Sequence, residues 1–103
     1  MATLLKNPHP GEILKEEFLI EIGLSQNQLA QTIGVPSNRI HDIIRGRRGI
    51  TADTDLRLSK FFGLSDGYWL RLQNAFDLME ARRELGKTIR KIPPYKAPLK
   101  IEV

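Results

Sequence analysis

The stretch SQNQLAQTIGVPSNRIHDIIRG, residues 25–46, decides the fold. Its apolar positions are Leu29, Ile33, Val35, Ile40 and Ile43. Ser25 suits the N-cap of a short helix, because its hydroxyl can accept from an orphan N–H two or three residues on. That helix carries Leu29, Ala30 and Ile33 on one face. Gly34 ends it, since glycine takes a left-handed C-terminal conformation without steric cost. Pro36 suits the first turn of a second helix, where its missing N–H is no loss. The second helix buries Ile40 and Ile43, with Ile44 beside them.

Two short helices, a tight glycine turn and a small Ala30 where they cross make a helix-turn-helix plan. The offsets of Ala30, Gly34 and Ile40 resemble the lambda Cro/repressor type. An αα-hairpin inside an ordinary bundle would share this spacing. The next segment separates the two: RGRRGIT (45–51) puts Arg45, Arg47 and Arg48 at the exit of the second helix.

Outward from this pair, residues 1–9 read as an extended arm, with Pro8 and Pro10 keeping their predecessors out of the helical region. A first helix is expected from Pro10 or Gly11 to Ile22. Ile13, Leu14, Phe18, Leu19 and Ile22 form its apolar stripe, and Glu12, Glu16, Glu17 and Glu21 face out. Gly23 ends it. His9 has no second metal ligand at useful spacing and reads as solvent-facing. After a basic loop, Thr51 or Asp53 caps a helix from Ala52 to Phe62, apolar at Leu56, Leu58, Phe61 and Phe62 and closed by Gly63. Ser65 caps a fifth helix from Asp66 to Leu85. That helix is apolar on more than one face, so one face closes the core and the other suggests a homodimer contact through Trp69, Leu72, Phe76 and Met79. The competing reading has Trp69, Leu72 and Phe76 simply finishing the core. Gly86 weakens the helix, and Pro93 and Pro94 bar its continuation. The last stretch, KAPLKIEV (96–103), alternates like a strand, with Leu99, Ile101 and Val103 on one side. It is left disordered, pairs with a dimer mate, or adds to a partner's sheet.

The expected fold is therefore all-α. A five-helix, lambda-repressor-like helix-turn-helix domain occupies 10–85, with a dimerising C-terminal helix. The arm is 1–9, and 86–103 form a basic, extended or disordered tail. A length of 103 residues fits one domain with a modest core. There is no cysteine, which excludes disulfides and thiolate metal sites. No apolar run approaches the roughly 20 residues of a membrane span, and no signal-peptide h-region is visible; the expected location is cytoplasmic. Net charge is only +4, but it is unevenly placed. Arg39, Arg45, Arg47, Arg48, Arg57 and Lys60 make the helix-turn-helix the basic part of the domain, as phosphate binding needs.

A docked second helix enters the major groove N-terminus first. Ser37, Asn38, Arg39, His41 and Asp42 are then the candidate base readers. Asn38 can bond adenine bidentately, Asp42 can accept from cytosine or pin an arginine, and Arg39 can reach guanine or phosphate. The candidate phosphate contacts are Gln26 with the N-terminus of the first helix of the pair, plus Arg45, Arg47 and Arg48. One short recognition helix reads few base pairs, so high affinity calls for a dimer on a palindrome. No metal set, Gly-rich phosphate loop or nucleophile–base pair is present, so no catalytic residue, cofactor or small-molecule substrate is expected.

Four segments together resemble the HigA antitoxins, also called VapI-like, of the Xre/Cro-type helix-turn-helix superfamily. They are HPGEILKEEFL (9–19), GVPSNRI (34–40), RGRRGIT (45–51) and WLRLQNAFDL (69–78). The resemblance covers about 7–85. It implies a dimeric, operator-binding antitoxin of a type II module. Such a protein neutralises a HigB-like toxin, a ribosome-dependent mRNA endonuclease, and represses its own operon. The alternatives are a stand-alone Xre-type regulator without a toxin, and an interaction module on a degenerate helix-turn-helix.

Overall fold

A computed structural model describes residues 6–96, and within them the chain forms five helices and no strand. Helix α1 covers 10–22 and is α-helical at Pro10–Ile13, π-helical at Leu14–Leu19 and α-helical again at Ile20–Ile22. Helices α2 (Gln26–Ile33) and α3 (Ser37–Ile44) form the helix-turn-helix, followed by α4 (Ala52–Phe62) and α5 (Tyr68–Arg90).

Local chemistry sets most boundaries as expected. Ser25 makes a full capping box: its hydroxyl accepts from the Gln28 N–H at 3.0 Å, and its own N–H donates to Gln28 Oε1 at 2.9 Å. Gly34 turns the chain at φ +76°. Thr51, not Asp53, caps α4. Pro36 sits one place earlier than expected, at the N-cap of α3 rather than in its first turn.

The π-wound turn alters α1. A wider turn brings residues five apart onto one face, so Leu14 and Leu19 are both buried. The extra residue rotates the remainder of the helix by about 100°. Ile22, expected on the stripe, is therefore 56% exposed. In α4 the inward residues are Thr54, Asp55, Leu58 and Ser59, whereas Leu56 and Phe61 point outward.

Two long-range contacts fix how the helices cross. The α1 backbone at Gly11 lies so close to α3 that a Cβ there would stand 1.8 Å from the Ile43 carbonyl oxygen. The second contact is the buried Asp55 carboxylate. Its Oδ2 accepts from the Gly67 N–H at 2.7 Å, and Oδ1 accepts from Trp69 and Leu70 at 2.8 and 3.1 Å. Asp55 therefore caps α5, correcting the expectation for Ser65, whose hydroxyl instead accepts from Arg71 at 3.3 Å. The helix starts at Tyr68 rather than Asp66 and continues through Gly86 to Arg90. One interior glycine costs only about 1 kcal/mol, too little to stop it; Pro93 removes the option soon after.

Trp69 is fully buried, with Phe18, Tyr68 and Phe62 ring centroids at 4.9, 5.2 and 6.1 Å. It belongs to the chain's own core, as the competing reading has it, and presents no surface for a dimer contact. Leu72 also packs on the core. Phe76 meets His9 edge-on at 4.9 Å. His9 is itself corrected: it is half-buried, and its Nδ1 accepts from the Gly11 N–H at 2.9 Å, capping α1. The large apolar side chains that α5 leaves exposed are Leu78, Leu85 and Ile89, with Ile92 just beyond it. The expected strand falls at 96–103, of which only Lys96 lies within the described residues.

Candidate nucleic-acid interface

Ser37 and Asn38 open α3 and are exposed, while Ile40 and Ile43 on the opposite face are fully buried. The buried face fixes the rotation of α3, so the exposed face is held rigidly outward. Arg45 ends the helix, and Arg47 and Arg48 follow it, all three exposed. The Arg47 N–H donates to the Asp42 carbonyl at 2.8 Å, which ties the basic loop back onto α3.

The other candidate readers are engaged within the chain. His41 bridges α3 to the start of α2, with Nδ1 2.6 Å from Gln26 Oε1 and Nε2 3.0 Å from Asn27 Oδ1. This brings Gln26 and His41 together and adds Asn27, which sequence reasoning missed although it lies in the first turn of α2. Asp42 faces Arg48 at 4.0 Å. Arg39 leaves the helix sideways and pairs with Asp53 of α4. Asp53 also accepts from Arg57 Nε at 3.1 Å. Arg57 Nη1 then donates to the carbonyls of Ile33 and Gly34 at 2.7 and 3.3 Å, satisfying the end of α2. The hydrogen bond from Arg39 is the main cause that holds the Asp53 carboxyl below the usual carboxylate range; desolvation opposes it, and the hydrogen bond and charge of Arg57 add to the lowering. Asp53 and Arg57 were not singled out from sequence as part of the site; the only local signal is their i, i+4 spacing.

The result is a surface with exposed small polar groups at the tip of α3, a helix N-terminus beside them at α2, and arginines on the flank. These are the parts that grip a phosphate backbone and read base edges. Among the described residues no group of three His, Asp or Glu side chains is placed to hold a metal ion. None of their helices is long and apolar enough to cross a membrane.

Comparison with known proteins places this surface in context. The helix-turn-helix family model HTH_3 matches residues 14–69. Virulence-associated protein I of Dichelobacter nodosus is 50% identical over 76 residues, covering 74% of this chain and 70% of that protein. An addiction module antidote protein of the HigA family from Coxiella burnetii superposes with a TM-score of 0.83 at 47% identity, covering 88% of this chain and all of that one. The Pseudomonas aeruginosa antitoxin HigA, solved with the higBA promoter, superposes with a TM-score of 0.82 at 40% identity, over 86% of this chain and 98% of that one.

Proposed function

We propose, from the premise that this chain belongs to the HTH_3 helix-turn-helix family, that it is a sequence-specific DNA-binding antitoxin that represses its own operon and neutralises a HigB-like toxin. The observation that carries the DNA half is the rigid outward face of α3 flanked by Arg45, Arg47 and Arg48. The likeness over nearly the whole of a HigA antitoxin solved with promoter DNA supports it. Ser37 and Asn38 read bases, joined by Arg39, His41 and Asp42, while Gln26 and the arginines hold phosphates. His41 and Asp42, both half-buried, must exchange their present partners for base edges.

The active unit is a homodimer in the cytoplasm. Its apolar seam is Leu78, Leu85 and Ile89, which lie at i, i+7 and i+11 on one face of α5. Phe76 and Met79 are half-buried, and Leu72 packs on the core, so none of the three is part of that exposed seam. A two-fold dimer presents two copies of α3 to successive half-sites of a palindrome.

The test is a salt titration of binding to the promoter upstream of the chain's own gene, against a scrambled duplex of equal length. A steep salt slope with strong preference for the promoter is the expected result. Arg47→Ala should weaken both duplexes alike and lower the slope by about one. Equal, weak binding to both duplexes would refute sequence-specific repression. Co-expression with a HigB-like toxin tests the other half: restored growth is expected, and continued arrest would leave a repressor without antitoxin activity.

A further inference from the structure

We propose that Asp53 is a positioning residue for sequence reading, which aims the Arg39 guanidinium at a base edge and keeps it off the phosphates. The inference rests on the proposed DNA-binding function. Arg39 is in the first turn of α3, beside Ser37 and Asn38, where a long cationic side chain can swing to base or backbone. In the structure its Nη1 donates to Asp53 Oδ2.

That carboxylate is not free to follow the arginine. Arg57 Nε donates to the same Oδ2, and Arg57 is anchored on the carbonyls of Ile33 and Gly34 at the turn between α2 and α3. The turn, α4 and the reading helix are thus joined through one carboxylate. With Nη1 engaged, the Nε–Nη2 edge of Arg39 remains for two parallel hydrogen bonds, which is what guanine O6 and N7 accept. The ion pair also offsets part of the charge that would draw Arg39 to a phosphate, and Asp53 itself repels phosphates. Stabilisation of the α4 N-terminus and the i, i+4 pair with Arg57 would account for an acid at this position. They do not account for its bond to Arg39 across the interface.

The test compares wild type, Asp53→Asn, Asp53→Glu and Arg39→Ala on the promoter duplex and the scrambled duplex across a salt series. Asp53→Asn is expected to bind the scrambled duplex several-fold more tightly, with a salt slope steeper by about one. Its preference for the promoter is expected to fall about tenfold. Asp53→Glu should restore part of the preference. Adding Asp53→Asn to Arg39→Ala should cause no further loss of preference. An unchanged preference in Asp53→Asn overturns the proposal, and so does a parallel loss on both duplexes with a lowered Tm, which would mark a purely structural role. If wild type itself fails to prefer the promoter, the DNA-reading function falls, and the assignment of Asp53 falls with it.

Discussion

Replacing Asp55 by alanine should cost more stability than any other polar substitution in the domain. The side chain is 1% exposed, and its two oxygens accept three backbone N–H bonds at the start of α5. A hydrogen bond to a charged group contributes about 1.5–3 kcal/mol. The three share one carboxylate and are not additive, and Gly67 and Leu70 are only half-buried, so part of their loss is recovered by water. We therefore expect a loss of about 3–5 kcal/mol, a large part of the roughly 5–15 kcal/mol available to a domain. That corresponds to a fall in Tm of about 15–30 °C for a chain of this size. Asp55→Asn should lose about half as much. Its amide oxygen can still serve Trp69 and Leu70, but its NH2 then faces the Gly67 N–H, donor against donor. Urea unfolding at fixed protein concentration, followed by helical circular dichroism and by fluorescence of the single tryptophan, measures both. A loss below about 1 kcal/mol for alanine, with asparagine indistinguishable from wild type, would refute Asp55 as the anchor of α5.

Gly11→Ala should cost about 3 kcal/mol or more, beyond ordinary overpacking, because its new methyl meets a backbone oxygen that cannot rotate away; thermal unfolding checks this, and promoter binding should fall with it as α3 is pushed aside. Lowering pH below about 6.5 should destabilise the fold through His9. Burial lowers its pKa, only partly offset by the charges of Asp77 and Glu12, so the unfolded chain takes up the proton first and stability is lost as pH falls through that window. His9→Ala, at a general cost near about 1 kcal/mol for the lost cap, should flatten the pH dependence there; a variant with the same pH profile as wild type would exclude His9 as its source. Leu85→Glu should leave the monomer folded, since the side chain is 43% exposed, yet shift sedimentation from dimer to monomer. An unchanged dimer would place the seam elsewhere.

The helix-turn-helix was legible because its signals are local. Ser25, Gly34 and Thr51 act on backbone groups within three or four residues of themselves, so spacing alone revealed them. Asp55 was not legible for the opposite reason. In the sequence it reads as an acid in the first turn of a helix, but the groups it serves lie twelve to fifteen residues on. Its only sequence mark is that it sits on the same stripe as Leu58 and Phe62, where a charge should not be. Gly11 was hidden in the same way, since nothing local shows that another helix will pass within reach of its missing Cβ. Of the candidate readers, the positions on α3 followed from period. Their present partners did not, because the Arg39–Asp53 and His41–Gln26 pairs join different helices. The sequence left Trp69 between core and surface because an all-round apolar helix does not announce which side its own core will claim.

In the proposed operator-binding dimer, the length of α5 gives its anchor a leverage on operator choice. Its 23 residues form a rod about 34 Å long, rooted at its first turn on Asp55. A tilt of about 5° at that root carries the far end by about 3 Å over such a rod, close to the roughly 3.4 Å rise of one base pair. In a dimer joined along this rod, the distance between two reading helices is a matter of angle at one carboxylate. Small substitutions around that root would retune which half-site spacing the pair accepts, while every residue that touches DNA stays the same.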